Sequence, residues 1–216
     1  MELDQGACGL IVTPHFWKGR WTPPPERVRE LASQLEEKGR AIRPDFFVAI
    51  GNEIKYYGAT AAENLAEGQC LSLGGTRYVL LEFSYECSFS DVDMAVNRMK
   101  TKGFRPVLAH VERYKCLHRQ YDRLDQLIQR GAYIQVNADS LDDGSFGSRL
   151  FGDAAFIKKL LQYDMIHLVG TDAHNDQSRA PRMDRCYAWL TKKCGEKEAR
   201  RLLYEHPLTL LDDKYL

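Results

Sequence analysis

Residues of the types that bind metal ions recur where short apolar runs of the sequence end. Five of the six runs that we interpret as strands end in, or are followed by, His, Asp or Glu: His15, Glu53, Glu82, His110, Asp172 and His174. Three imidazoles and three carboxylates suit a divalent cation such as Mn²⁺, Fe²⁺ or Zn²⁺. Paired ions bridged by carboxylates can activate water while they hold a transferring phosphoryl group. We therefore predict a metal site; the alternative is that these histidines are hydrogen-bonded core residues.

Two arginines lie close in sequence to these candidate ligands. Arg113 is three residues past His110, and Arg179 is five residues past His174. A guanidinium group presents a fixed fork of donors that matches the oxygens of a phosphate. We predict that both arginines bind phosphate, the alternative being ion pairs with nearby acids such as Glu112 or Asp176.

The candidate ligands need strands that bring distant parts of the chain together. Short runs rich in Val, Ile and Leu predict strands at Gly9–Thr13, Phe46–Gly51, Tyr78–Phe83, Pro106–Ala109, Tyr133–Val136 and Ile166–Gly170. These runs do not alternate polar and apolar residues, which is typical of parallel strands covered on both faces. Because the carboxyl ends of parallel barrel strands meet at one mouth, the six side chains would converge there.

Stretches with helical periodicity separate these strands. They predict helices at Pro23–Lys38, Ser90–Lys102, Asp122–Arg130, Asp153–Tyr163, Met183–Lys193 and Glu196–Glu205. We expect Val28, Leu31 and Leu35 to form the buried face of the first helix, and Pro207 to stop the last one. The alternation of strands and helices predicts a parallel α/β fold, either open or closed into a barrel.

Bulk composition narrows the class of protein. The 216 residues suit a single domain, and 30 basic residues balance 30 acidic ones, so net charge favours neither nucleic acid nor an anionic membrane as partner. The sequence has no apolar run of transmembrane length and no signal-peptide pattern at its start. Its six cysteines are scattered without a Cys-x-x-Cys pair, which favours reduced thiols and a cytoplasmic protein.

Several motifs together resemble one family of enzymes. They are Thr13-Pro14-His15, Gly51-Asn52-Glu53-Ile54, Leu81-Glu82-Phe83, Ala109-His110-x-Glu112-Arg113-Tyr114, Gln135-Val136-Asn137-Ala138 and Thr171-Asp172-Ala173-His174-Asn175. From His15 to Asp172 the ligand motifs are spaced 38, 29, 28 and 62 residues apart. In this order they resemble the PHP-domain tyrosine-protein phosphatases of bacterial capsule and exopolysaccharide operons.

The resemblance implies a fold, a reaction and a set of roles. The fold would be a distorted (β/α)7 barrel, with metal ions held by His15, Glu53, Glu82, His110, Asp172 and His174. The metal would commonly be manganese, and Arg113 and Arg179 would hold the phosphate. The substrate would be phosphotyrosine on a partner tyrosine autokinase, hydrolysed in one step by a metal-bound hydroxide. His174 would be a general acid only where a metal does not fully engage it.

One motif of that family is missing from this sequence. Family members open with a strand ending in Asp-x-His-x-His, and no His-x-His occurs here. Gly39, Gly103 and Gly131 each follow a predicted helix, and Gly6 has the same place before the first strand, so Met1–Gln5 is predicted to be the last turn of a helix whose beginning is absent. We therefore expect a barrel without its first β-α unit, two unpaired sheet edges, weak metal loading and low activity.

Other interpretations of the sequence remain open at this point. Another PHP enzyme, such as a histidinol-phosphate phosphatase, would use the same ligands, and an incomplete site would suit a catalytically impaired regulatory module. The string from Cys194 to Arg200 matches the Cys-x5-Arg motif of thiolate phosphatases, but it lies between two predicted helices and not after a strand. Phe16, Trp17 and Trp21 would either pack against the phenol ring of a substrate or anchor their loop.

Overall fold

The computed structural model describes residues 1–58, 60–141 and 154–216. Within these ranges the strands are β1 (Gly9–Val12), β2 (His15–Phe16), β3 (Phe47–Ile50), β4 (Glu53–Lys55), β5 (Tyr78–Glu82), β6 (Arg105–Leu108), β7 (Tyr133–Asn137) and β8 (Leu168–Gly170). Six of them form a sheet in the order β2-β4-β5-β6-β7-β8, β1 pairs with β3, and all these pairings are parallel. The sheet curls into a half-barrel, which confirms the predicted parallel α/β class.

The first two predicted strands are each broken into two pieces. Thr13 and Pro14 separate β1 from β2, and Gly51 and Asn52 separate β3 from β4. Pro14 has no backbone N–H to donate, so the pairing is interrupted there. The buried Asn52 side chain bridges the break, since its Nδ2 donates to the Pro14 carbonyl oxygen at 2.8 Å. The outer halves, β2 and β4, then carry the candidate ligands.

Helices follow most of the strands. The helices of the described chain are α1 (Pro25–Arg40), α2 (Thr60–Ala66), α3 (Phe89–Thr101), α4 (Tyr121–Gln129), α5 (Ala154–Gln162), α6 (Met183–Cys194), α7 (Glu196–Arg200) and α8 (His206–Leu211). Their apolar faces form the main core with one face of the sheet, through fully buried residues such as Met99 and Leu124. The predicted start of α5, Asp153, lies outside the described residues.

Three local predictions about helices and turns are wrong. Leu31 and Leu35 are exposed, because α1 turns Val28 and Ala32 towards the core instead. Gly39 lies inside α1, where a Cβ atom would come within 2.2 Å of the Phe46 ring, so close packing and not a helix end explains this glycine.

The third wrong prediction is that Pro207 stops the last helix, because helical structure continues past it. A π-helical turn, Arg201–Glu205, leads into α8, and Pro207 takes one of the first positions of that helix. There the missing N–H is of no consequence. In contrast, Gly103 and Gly131 adopt the expected left-handed conformation after α3 and α4, and Gly6 does so after a 3₁₀ turn, Leu3–Gln5.

The concave face of the sheet encloses a cavity of about 850 Å³. Apolar side chains such as Leu80, Val107 and Leu168 line this cavity together with candidate ligands. In the six-stranded sheet of the described chain, β2 and β8 are the two outermost strands in the strand order. None of the described helices combines the length and the hydropathy that crossing a membrane requires.

Candidate metal and phosphate site

Four of the six predicted ligands form one cluster at the carboxyl ends of the strands. Nδ1 of His15 lies 3.3 Å from Oε2 of Glu53 and 3.8 Å from Oε2 of Glu82. Nε2 of His110 lies 2.8 Å from Oε1 of Glu53 and 3.9 Å from Oε1 of Glu82. The ligand atoms of His15, Glu53 and Glu82 all lie within 4.8 Å of one another, which is close enough to hold one cation.

The register of the sheet explains this convergence. His15 on β2 is the direct partner of Glu53 on β4, and Lys55 on β4 is the direct partner of Glu82 on β5. Side chains two residues apart on a strand share a face, so Glu53 and Lys55 both point towards the cluster. Nζ of Lys55 lies 3.3 Å from Oε1 of Glu82. The strands therefore place two carboxylates, an imidazole and an ammonium group on one face.

His110 reaches the cluster from a turn just beyond β6. It adopts a left-handed backbone conformation with φ of 35°. This conformation is uncommon for a non-glycine residue and is held here by its surroundings. Oε1 of the buried Gln135 accepts a hydrogen bond from the backbone N–H of His110 at 2.5 Å. A Cβ atom at Gly170 would lie 2.7 Å from Nε2 of Gln135, so a glycine on β8 leaves room for this support.

Asp172 and His174 approach the cluster from the loop after β8. Nε2 of His174 lies 3.2 Å from Nε2 of His15, so this loop joins the other ligands. Arg113 and Arg179 both contact Asp172, with their Nη2 atoms 2.7 and 2.6 Å from its Oδ2. The structure thus brings all six predicted ligands and both predicted arginines together. Both arginines thus form ion pairs with an acid, as the alternative held, although that acid is Asp172. Phosphate binding by the two arginines stays a prediction.

Proton positions within the cluster fit a bound cation. Nδ1 of His174 lies 2.9 Å from the carbonyl oxygen of Asp172, and because a carbonyl only accepts, this Nδ1 carries the proton. In a neutral His174, Nε2 then carries the lone pair, and this atom lies 3.2 Å from Nε2 of His15, on the side of the other proposed ligands. The mixed oxygen and imidazole donors of the cluster suit a divalent transition metal.

A second feature of the cluster also fits a metal. Nδ1 of His110 is buried and has no hydrogen-bond partner among the described residues, although buried polar atoms are normally satisfied. Burial lowers the pKa of His110, but the hydrogen bond and charge of Glu53 outweigh this effect and raise the pKa above its ordinary value. The imidazole therefore sits in a field that favours positive charge.

The electrostatics around Asp172 favour its ionised form. Burial alone would raise the pKa of Asp172, but the positive charges of Arg113 and Arg179 lower it below its ordinary value. Nδ2 of Asn137, at the end of β7, donates to Oδ2 of Asp172 at 2.9 Å. Asp172 is therefore a carboxylate surrounded by donors, next to the ligand cluster.

Comparison with known proteins identifies the family. The model of the family described as "Capsular polysaccharide synthesis, CpsB/CapC" matches residues 1–212. The chain belongs to the CpsB/CapC family. The tyrosine-protein phosphatase CpsB of Streptococcus pneumoniae is 33% identical over 217 residues, which cover 98% of this chain and 87% of that protein. The tyrosine-protein phosphatase YwqE of Bacillus subtilis (strain 168) is 34% identical over 197 residues, which cover 90% of this chain and 75% of YwqE.

A solved structure of this family also matches the whole fold. It comes from the crystal structures of YwqE from B. subtilis and CpsB from S. pneumoniae, described as unique metal-dependent tyrosine phosphatases. The TM-score is 0.85 at 30% sequence identity, and the match covers 100% of this chain and 85% of the solved chain. This similarity supports a PHP-like barrel as the fold of this CpsB/CapC member.

The sequence did not lead us to predict several residues that contact or position the proposed ligands and their loops. Glu112 is buried, and its Oε1 accepts hydrogen bonds from the backbone N–H of Asn137 at 3.0 Å and from the hydroxyl of Ser140 at 2.8 Å. Glu112 thus joins the loop after β6, which also carries Arg113, to the end of β7. Lys55 was also missed, although its place two residues after Glu53 was a usable signal. Gln135 lies in one of the motifs of the resemblance, but its bond to the backbone of His110 depends on the register of β7 and could not be predicted.

Two other predictions concern residues near the site. Phe16 is buried and belongs to the core, so it forms no part of an aromatic lip. Trp17 pairs with Trp21 across a tight turn, and Trp21 is 62% exposed at the rim of the cavity. Cys194 is the last residue of α6, and burial and the charge of Glu198 raise its pKa, so a thiolate phosphate loop is absent there.

Proposed function

We propose that this CpsB/CapC family member is a metal-dependent protein-tyrosine phosphatase. The observation that carries the proposal is the convergence of imidazoles, carboxylates and two arginines at the carboxyl ends of the parallel strands. The proposed metal ligands are His15, Glu53, Glu82, His110, Asp172 and His174. We propose manganese as the metal, a partner tyrosine autokinase as the substrate protein and the cytoplasm as its location. The distorted (β/α)7 form of the barrel is likewise part of the proposal.

Each group at the rim has a defined task in this reaction. Bound divalent cations would activate a water and polarise the phosphoryl oxygens. Arg113 and Arg179 hold the phosphoryl group so that the attacking and leaving oxygens are in line, and they stabilise the charge that develops on its oxygens. His174 holds its proton at Nδ1, towards the Asp172 carbonyl oxygen, so its Nε2 serves as a ligand and not as a general acid. Glu112 keeps Arg113 in position through its bonds to β7 and the following turn.

The leaving group explains why no dedicated acid is needed. A phenol has a pKa of about 10, so it leaves more readily than an alkyl alcohol would. Trp21 presents an exposed aromatic face on the same cavity as His15 and His174, and aromatic rings pair favourably with one another. We propose that this ring contacts the phenyl group of the substrate.

Hydrolysis of defined substrates tests the proposal. The protein, freed of metal and then supplied with Mn²⁺, should release phosphate from a phosphotyrosine peptide faster than from a phosphoserine peptide or histidinol phosphate. Metal content should be measured on the same sample, because the sequence holds no His-x-His and weak loading stays a prediction. Faster hydrolysis of histidinol phosphate would contradict the proposed substrate class, and turnover that is unchanged by chelation would contradict the metal dependence.

A further inference from the structure

Two cysteines contact each other on neighbouring loops beside the site. Sγ of Cys87 lies 3.7 Å from Sγ of Cys116, although 29 residues separate them in sequence. Both side chains are partly buried, whereas Cys70 and Cys186 are fully buried in the core. All six cysteines are free thiols in the structure. A pair of thiols in van der Waals contact on two separate elements is a candidate for oxidation to a disulfide.

The loops that carry this pair begin at the proposed site. Cys87 lies five residues after Glu82, between β5 and α3, and Cys116 lies three residues after Arg113, between β6 and α4. The loops already contact each other, since the backbone N–H of Lys115 donates to the carbonyl oxygen of Tyr85 at 3.2 Å. The hydroxyl of Tyr114 accepts a hydrogen bond from the backbone N–H of Phe83 at 3.1 Å. Movement of either sulfur is therefore transmitted to the rim of the site.

We propose that Cys87 and Cys116 form a reversible disulfide by exchange with a low-molecular-weight disulfide such as oxidised glutathione, and that this bond lowers phosphatase turnover. In the first step the thiolate of Cys116 attacks one glutathione sulfur, the glutathione S–S bond breaks and a glutathione thiolate leaves. In the second step the thiolate of Cys87 attacks Sγ of Cys116 and releases the second glutathione thiolate. The two thiol protons pass to the leaving thiolates, so two protein thiols and one oxidised glutathione give one protein disulfide and two reduced glutathiones.

The surroundings of the pair favour this order of attack. The hydrogen bond with Cys87 and the positive charge of Arg123 lower the pKa of Cys116 below its ordinary value. The hydrogen bond with Cys116 and burial raise the pKa of Cys87. Nη1 of Arg123 also donates to the carbonyl oxygen of Cys116 at 3.1 Å, which keeps this cation beside the sulfur. The thiolate is the reactive form of cysteine, so Cys116 is the first to react.

The positions of the two loops explain how a disulfide between Cys87 and Cys116 would lower turnover. The two sulfurs must close from 3.7 Å to about 2.05 Å, which draws the two loops together. Arg113 lies only three residues from Cys116, and a shift of about 1 Å in a positioning group can cost roughly 100-fold in rate. We expect the disulfide to lower turnover about tenfold or more, with recovery on addition of dithiothreitol.

Peptide mapping tests the disulfide without reference to activity. The metal-supplemented full chain is equilibrated with mixtures of oxidised and reduced glutathione, its thiols are blocked, and it is digested with trypsin. Cleavage after Arg77, Arg98, Lys115 and Arg119 gives residues 78–98 and 116–119, each with a single cysteine. Oxidation should join these two peptides, and dithiothreitol should separate them. Recovery of glutathione adducts on Cys116 without the joined peptide would overturn the proposal.

Serine variants of the cysteines test whether the disulfide affects the proposed phosphatase site. Cys87→Ser and Cys116→Ser should each keep the activity that the unaltered chain has when its thiols are reduced, and should lose the response to oxidised glutathione. The control Cys8→Ser/Cys194→Ser should respond as the unaltered chain does. Binding of inorganic phosphate is measured beside turnover, because the effect on rate rests on the proposed phosphatase function. If the reduced protein hydrolyses nothing, that function fails, while the mapped peptide and the phosphate affinity still decide the disulfide. A disulfide that forms and alters neither readout would refute the regulatory effect.

Discussion

Replacement of Arg113 by alanine separates phosphate binding from metal binding. The change removes a guanidinium group whose Nη2 lies 2.7 Å from Oδ2 of Asp172, and it leaves the ligands in place. Removing one preorganised donor from a developing oxyanion typically costs 10²–10³ in turnover, or about 3–4 kcal/mol. We expect a loss at the lower end of this range, because Arg179 contacts the same oxygen at 2.6 Å and remains.

The assay needs two readouts on the same preparation. Turnover of a phosphotyrosine peptide in saturating Mn²⁺ should fall about 100-fold, while the metal bound per chain should stay unchanged. Arg113→Lys keeps the charge but loses the fork of donors, so it should recover only part of the rate. Arg29→Ala is a matched control, since Arg29 lies on an exposed part of α1 and pairs loosely with Glu26 at 3.9 Å.

The double variant with Arg179→Ala gives a further check. Two cations that contact one carboxylate oxygen act on the same region, so their effects should couple and the combined loss should differ from the product of the single losses. A loss of bound metal in Arg113→Ala, in proportion to the loss of turnover, would refute the assigned role. Arg113 would then support the metal site through Asp172 and would have no separate role in binding phosphate.

Three more changes test other parts of the structure. Glu53→Gln neutralises the carboxylate shared by both histidine contacts, and metal affinity measured by calorimetry should fall by more than about 100-fold; unchanged affinity would exclude Glu53 as a ligand. Burial lowers the pKa of His167 from 6.5 to about 4, so below pH 6.5 only the unfolded chain binds this proton, and up to about 3 kcal/mol of stability is lost by pH 4. His167→Asn keeps an acceptor for the backbone N–H of Ile134. The free energy of unfolding, measured in urea, should then change less between pH 7 and pH 5 than in the unaltered chain; the same pH dependence in both would contradict this. Cys194→Ser should leave turnover unaltered, whereas a large loss would revive the thiolate mechanism.

The convergence of the ligands could be predicted from the sequence because it depends on few rules. A parallel sheet places the carboxyl ends of its strands on one side, so His15, Glu53 and Glu82 had to meet once their strands were recognised. The runs of Val, Ile and Leu identified those strands. Their finer form could not be predicted, since the breaks at Pro14 and Asn52 depend on a side chain that bridges two strands.

The predictions that failed concern choices made by tertiary packing. The periodicity of α1 predicted Val28, Leu31 and Leu35 as its buried face, but the helix buries Val28, Ala32 and Gly39 instead, and Gly39 lies against the Phe46 ring. Pro207 resembled a helix stop, but the π-helical turn Arg201–Glu205 is followed directly by α8, which begins at His206 and takes Pro207 in one of its first positions. Such outcomes depend on contacts between distant segments, and local periodicity contains no information about them.

The position of Asp172 suggests how metal and phosphate binding depend on each other in the proposed reaction. Its Oδ2 accepts from both guanidinium groups and from Asn137, so the arginines that should bind phosphate are engaged by a carboxylate. A cation bound to Asp172 would compete with these contacts and free the donors for an anion. Binding at two sites that share a group is reciprocal, so phosphate would in turn strengthen the hold on the metal. Asp172 lies between the two arginines and His174, so in the proposed reaction it would link the metal ligands to the groups that bind phosphate.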